Sequence, residues 1–167
     1  FGLNQGALPV MGYNYGARNK KRLGSAYKIT LGGAVAIMVL GLIVFQLFSE
    51  NMLMMFVDKN DAAAAQEMLA VGVPALKIIS LSFLGAAFGI INSTIFQAVG
   101  RGMASLIVSV CRQLVIILPV AWLLGQWKGL SAIWYSFPIA EIAAFFISYA
   151  LLYRIYRTEL RTLGDGD

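Results

Sequence analysis

Ile29-Thr-Leu-Gly-Gly-Ala-Val-Ala-Ile-Met-Val-Leu-Gly-Leu-Ile-Val-Phe-Gln-Leu-Phe48 runs for twenty residues without a formal charge. A helix of about 20 mainly apolar residues crosses roughly 30 Å of hydrocarbon, so this stretch has the length of a membrane span. Three more stretches of the same kind follow: Leu69 to Val99, interrupted only by Lys77; Ala104 to Leu124, containing Arg112; and Leu130 to Tyr153, containing Glu141. They are too long for strands and show no alternation of period two. Four such runs in 167 residues could hardly all be buried inside a water-soluble globule. Composition agrees: 59% of the chain is hydrophobic and 13% charged, where an ordinary soluble domain is about 25% charged. The mean hydropathy of +0.76 excludes a soluble globule, a disordered tail and a nucleic-acid-binding arm. The predicted fold is all-α: a polytopic membrane bundle of four full transmembrane helices, near 29–48, 69–99, 104–124 and 130–153, plus the end of a fifth.

The net charge of +5 is a matter of topology. Arg18, Lys20, Lys21, Arg22 and Lys28 precede the first span, Arg101 and Arg112 follow the second, and Arg154, Arg157 and Arg161 follow the fourth. These are ten of the thirteen Lys and Arg, all assigned to one side; Lys59 and Lys128 belong to the other, and Lys77 lies within a span. Cytoplasmic loops carry the excess of Lys and Arg, so both ends of the chain are expected on the cytoplasmic side of a cell membrane. The loop from Ser49 to Met68 is then external, with Asp58-Lys59-Asn60-Asp61 as a turn and Asp61 capping a helix that begins at Ala62. Trp122 and Trp127 flank the external connection Gly125–Gly129, as members of an aromatic belt, with Trp134 about a turn deeper. Residues 1–158 form one partial bundle in this reading, and 159–167 a short disordered tail.

No histidine and a single cysteine, Cys111, remove Cys–His and Ser–His catalysis, zinc sites and any internal disulfide. No enzyme activity and no cofactor are expected. Residue 1 is Phe and no signal peptide is visible, so the sequence is expected to be a piece of something longer.

The segment Gln5-Gly-Ala-Leu-Pro-Val-Met-Gly-Tyr-Asn-Tyr-Gly-Ala-Arg18 resembles the multidrug and toxic compound extrusion (MATE) family of cation-coupled efflux transporters. The matching positions are Gln5, Pro9, Gly12, Asn14, Gly16, Ala17 and, beyond them, Arg22. Further matches are Phe96-Gln-Ala-Val-Gly100 with Arg101, Arg112-Gln113 with Pro119, and Trp134 through Pro138 to Glu141. The resemblance implies the end of the eighth helix followed by helices nine to twelve, within the second of two six-helix bundles. It further implies a secondary antiporter that exports amphipathic, often cationic, organic compounds in exchange for H⁺ or Na⁺. The partners implied are the lipid bilayer, the N-terminal bundle of the same protein and small organic substrates. A polysaccharide-lipid flippase of the wider superfamily is the alternative. Some family members carry a carboxylate on the tenth helix that takes part in sodium binding; Leu69–Val99 has none, so the coupling ion stays open.

Polar residues inside the spans supply the candidate site. Ser82, Gly85, Gly89, Asn92 and Phe96 follow a 3, 4, 3, 4 spacing that places them on one helical face. That face is read as a packing seam in the first place, because Gly85-x-x-x-Gly89 lets backbones approach and Asn bonds across helices. The alternative reading makes Ser82, Asn92 and Phe96 a wall of the substrate cavity. Asn4, Gln5 and Asn14 are candidates for the cavity mouth, or for satisfying helix ends. Lys77 is expected to snorkel to the external interface rather than bind substrate. Arg112 and Glu141 fall at the same depth on antiparallel neighbouring spans, and lone charges there are costly. They are expected to meet, as a structural ion pair first and as a coupling element second.

Overall fold

The computed structural model describes residues 1–56 and 62–163, and all of their regular structure is helical. Helix α1 (Gly2–Gly16) leads through a turn to α2 (Lys20–Met54), a 35-residue helix. Asn19 caps α2 by accepting the Arg22 N–H at 3.0 Å, satisfying a donor that the first turn leaves without a partner. The chain continues as α3 (Ala62–Ser80), α4 (Phe83–Ala98) and α5 (Gly102–Val110). A π-helical segment, Cys111–Ile116, joins α5 to α6 (Ile117–Lys128). A short α7 (Leu130–Ile133) precedes α8 (Ser136–Thr158), and a 3₁₀ turn covers Leu160–Thr162. Gly100 and Gly129, at φ of 77° and 78°, make the reversals after α4 and α6, a conformation glycine adopts without penalty.

Lys20–Met54, Ala62–Ser80, Gly102–Lys128 and Leu130–Thr158 are long and apolar enough to cross a membrane. Their outer faces leave Ile37, Leu40, Leu47, Leu118 and Phe146 exposed. Such a surface is stable where the solvent is itself hydrocarbon. The polytopic all-α bundle read from the sequence is therefore the architecture observed.

Its details differ at three places. The run read as one span, 69–99, begins earlier and is broken at Leu81–Ser82, between α3 and α4. The break has a local cause. The Ser80 and Ser82 hydroxyls donate to the Lys77 and Ile79 carbonyls at 2.8 and 2.6 Å, and serine back-bonding of this kind competes with regular helix. The helix containing Arg112 carries a π-helical segment that hydrophobic patterning does not reveal. Finally, the expectation of a disordered tail from residue 159 does not hold up to Leu163. Leu160 is buried, and Glu159 pairs with Arg101. The turn read at Asp58–Asp61 and the helix start read beside it border or lie outside the described residues, as do 164–167; α3 is described from Ala62.

The most buried helix is α4, which packs against α1, α2, α5 and α8. Its lower half, with Ile95, Phe96 and Val99, meets Met11, Leu23 and Ile155 in one apolar cluster. That cluster sits at the basic end of the bundle. There the Arg101 Nε donates to Glu159 at 2.6 Å and the Tyr15 hydroxyl donates to the same carboxylate at 3.3 Å. The hydrogen bond to Glu159, together with its charge, holds the Arg101 guanidinium above its ordinary value. The ends of α1, α4 and α8 are thus tied together at one level.

Candidate functional site

Helices α4 and α8 run parallel, and their register is set by small residues. A β-carbon added to Gly85 would stand 2.6 Å from Glu141 Cβ, and one added to Gly89 would stand 3.3 Å from an Arg112 guanidinium nitrogen. Two turns along, the Asn92 Nδ2 donates to Ser148 Oγ at 3.1 Å, across a separation of 56 residues. Gly85 and Glu141 are the same distance apart in sequence, so one register governs both contacts. Glu141 and Ser148, seven residues apart, share a face of α8 just as Gly85, Gly89 and Asn92 share a face of α4.

Arg112 and Glu141 meet on this seam. One guanidinium nitrogen lies 3.4 Å from Glu141 Oε1, with the two side chains 18% and 14% exposed. The contact is long and single. Arg112 Nε and Glu141 Oε2 are buried with no hydrogen-bond partner among the described residues. A guanidinium and a carboxylate can form two short parallel bonds, typically about 2.7–2.9 Å. Half of that capacity is unused here. Arg112 projects from the π-helical segment, and such segments recur at functional sites in helical proteins. A groove of about 420 Å³ between α4 and α8 reaches Glu141 past Phe88, Phe145 and Phe146.

Below the pair, toward the basic end, a polar relay crosses three helices. The Tyr27 hydroxyl of α2 donates to Asn92 Oδ1 at 2.6 Å, Asn92 donates to Ser148, and Ser148 donates to the Phe145 carbonyl at 3.1 Å. Asn92 is 2% exposed and Phe96 fully buried. Ser82 is buried too, its hydroxyl turned to the Ile79 carbonyl. Within this bundle the Ser82–Phe96 face is packed against its neighbours, which is the seam arrangement. Asn4 meets the Thr94 hydroxyl. The Asn14 amide donates to the Val10 carbonyl of its own helix at 2.7 Å, and Gln5 is exposed. Asn4, Gln5 and Asn14 therefore do not converge with Arg112 and Glu141. Lys77 is exposed, four residues before the break. Tyr27 and Ser148 were not among the residues singled out by sequence; the spacing of Ser148 from Glu141 was the available signal.

Among the described residues no group of Cys, Asp and Glu could hold a metal ion. What the arrangement offers is one ion pair, Arg112 with Glu141, in an apolar bundle.

Comparison with known proteins places this geometry. A family model described as MatE matches residues 1–123. The chain is 24% identical over 154 residues to the multidrug export protein MepA of Staphylococcus haemolyticus, covering 92% of this chain and 32% of that protein. It is 28% identical over 158 residues to MepA of Staphylococcus aureus, covering 92% and 33%. The chain thus spans about a third of the length of the curated relatives it matches. Among solved structures, an inward-facing multidrug resistance MATE transporter of the MOP superfamily superposes with a TM-score of 0.77 at 25% identity, over 91% of this chain and 35% of the other. A MOP superfamily transporter from Pyrococcus furiosus, described as having a binding pocket of reversed polarity that suggests a different function, superposes with a TM-score of 0.84 at 25% identity, over 95% and 35%. The helices, their order and the family match over most of the length agree: this chain is part of a multi-pass membrane protein and belongs to the MatE family, the multidrug and toxic compound extrusion transporters.

Proposed function

We propose that the chain supplies part of the C-terminal bundle of a secondary antiporter that exports amphipathic, often cationic, organic compounds, with H⁺ as the coupling ion. Glu141 is the exchanging group and Arg112 its resting counter-charge. The observation that carries this reading is the half-made ion pair: a carboxylate and a guanidinium in one contact of 3.4 Å, each with a polar atom left over. A proton fits this site better than Na⁺, because the guanidinium already occupies the position a metal cation would take beside the carboxylate. Protonating Glu141 removes the pair, and the two helices it joins are then free to shift along their seam. Intramembrane ionisable groups are expensive to keep, which makes a carboxylate in such a place a functional candidate.

Nine basic residues at one end, with Arg112 set apart in its pair with Glu141, support placing both ends of the chain in the cytoplasm. The similarity to MepA, a multidrug export protein, supports the substrate class. The flippase stays the alternative, because the Pyrococcus neighbour is described as having a different function on the same fold.

The deciding experiment reconstitutes the intact protein in liposomes and follows a fluorescent organic cation under imposed gradients. Uptake driven by a proton gradient and indifferent to a sodium gradient is the expected result. Uptake driven by sodium alone removes Glu141 from the coupling role. Failure with every organic cation, together with transbilayer movement of a polyprenyl-linked saccharide, selects the flippase.

A further inference from the structure

At the basic end, α2 and α8 diverge and leave a groove of about 320 Å³. Its walls are apolar and aromatic, with Tyr27, Tyr149, Tyr153 and Tyr156, and its mouth is held by Lys20 and Lys28. The same two lysines, with Lys21 and Gly24, line an adjoining open recess. The cations lean over the rings: the Lys20 ammonium is 5.6 Å from the Tyr156 ring centre, and the Arg157 guanidinium 5.7 Å from that of Tyr153. The groove takes no part in the pair at Glu141 and lies further along α8, toward its basic end.

We infer that this groove binds one anionic phospholipid of the adjacent leaflet, its phosphate on Lys20, Lys21 and Lys28 and an acyl chain between α2 and α8. Two features meet here that a lipid needs and a helix does not. The cavity is apolar in its depth, and three ammonium groups crowd one end of it within nine residues of α2. The lysines immediately precede the uncharged run at Ile29, which sets them at headgroup level. Tyrosines, with an apolar ring and a polar tip, belong at that depth. Among the described residues no acidic side chain lines either the groove or the recess. Gly24 keeps the entrance open, since nothing lies within 4 Å of a β-carbon built there. If the basic end is cytoplasmic, as the charge distribution supports, the lipid is one of the inner leaflet.

The test is native mass spectrometry of the intact, purified protein released from nanodiscs containing phosphatidylglycerol or phosphatidylcholine. One phosphatidylglycerol should be retained, and phosphatidylcholine should not. Each Lys near an anionic surface is worth about fivefold in affinity, so Lys20→Gln with Lys28→Gln should weaken retention about 25-fold. Gly24→Trp keeps every charge and fills the entrance; it should also abolish retention. Lys128→Gln, at the opposite end, should change nothing. Retention that survives both groove variants overturns the inference. Loss in the lysine variant with full retention in Gly24→Trp reduces the site to a basic surface and overturns the groove. Displacement by glycerol phosphate as readily as by lipid makes it a soluble-anion site and equally overturns it. A helix of the intact protein occupying the groove would leave no lipid retained in the unaltered protein, which also overturns it.

Discussion

Gly85 and Glu141 face each other across the α4–α8 seam so closely that a β-carbon on Gly85 would fall 2.6 Å from Glu141 Cβ and 3.6 Å from its backbone carbonyl carbon. Neither atom is the far end of a flexible side chain. Gly85→Ala must therefore push the two helices apart, and overpacking of this kind costs roughly 1–3 kcal/mol. At Gly89 the obstacle is an Arg112 guanidinium nitrogen at 3.3 Å, which can swing aside. Thermal unfolding of the intact protein in detergent should show a lowered midpoint for Gly85→Ala and a smaller loss for Gly89→Ala. Equal loss at the two positions would contradict the seam.

The Tyr27–Asn92–Ser148 relay gives a second expectation. Interhelical hydrogen bonds in membranes average about 0.6 kcal/mol and reach about 1.7. Asn92→Ala breaks two of them at once, those at 2.6 and 3.1 Å, while Tyr27→Phe breaks only the first. Asn92→Ala should lower the unfolding midpoint more, and adding Tyr27→Phe to it should cost little beyond Asn92→Ala alone. Additive losses would mean that the two side chains do not act through one contact.

Much of the fold was legible because lipid imposes length on a sequence. The uncharged run 29–48 lies within α2, and Gly102–Lys128 contains the whole of 104–124. The turn at Leu81–Ser82 was not legible, since hydropathy is blind to serine hydroxyls that bond their own helix. Nor was the π-helical segment, for Cys111–Ile116 is as apolar around Arg112 as an ordinary helix would be. The meeting of Arg112 with Glu141 followed from counting 1.5 Å per residue away from a shared turn, a one-dimensional argument that tolerates a break near one end. The order of the tail past 159 depended on Arg101, a partner 58 residues earlier that no local pattern indicates.

Orientation supplies a third prediction. Glu50 is exposed near the end of α2 remote from the lysines, and Arg157 is exposed at the basic end of α8. With Cys111 replaced by Ser, Glu50→Cys should react with a membrane-impermeant maleimide in intact cells, and Arg157→Cys only after the membrane is opened. The reverse pattern would place the basic end outside and overturn the cytoplasmic assignment of both ends.

The last prediction separates the two roles open to Glu141. If the pair is only structural, Glu141→Gln strands Arg112 in an apolar bundle, and a lone charge at that depth costs at least roughly 2.5–3.5 kcal/mol. Folded yield would then fall, and Arg112→Gln added to it would restore that yield. The geometry points the other way. A contact of 3.4 Å between groups that each keep an unpartnered atom is too loose to be the main tie between these helices. Gly85, Gly89 and the Asn92–Ser148 bond already fix their register. Glu141→Gln should therefore fold well enough to purify and still exchange labelled substrate across liposomes at equilibrium. It should no longer accumulate substrate against a concentration difference when a proton gradient is imposed. Glu141→Asp keeps the titrating group on a shorter stem and should retain coupling at reduced rate. Loss of exchange and accumulation together, with recovery of folded yield in the double variant, would assign the pair to architecture and remove it from the transport cycle.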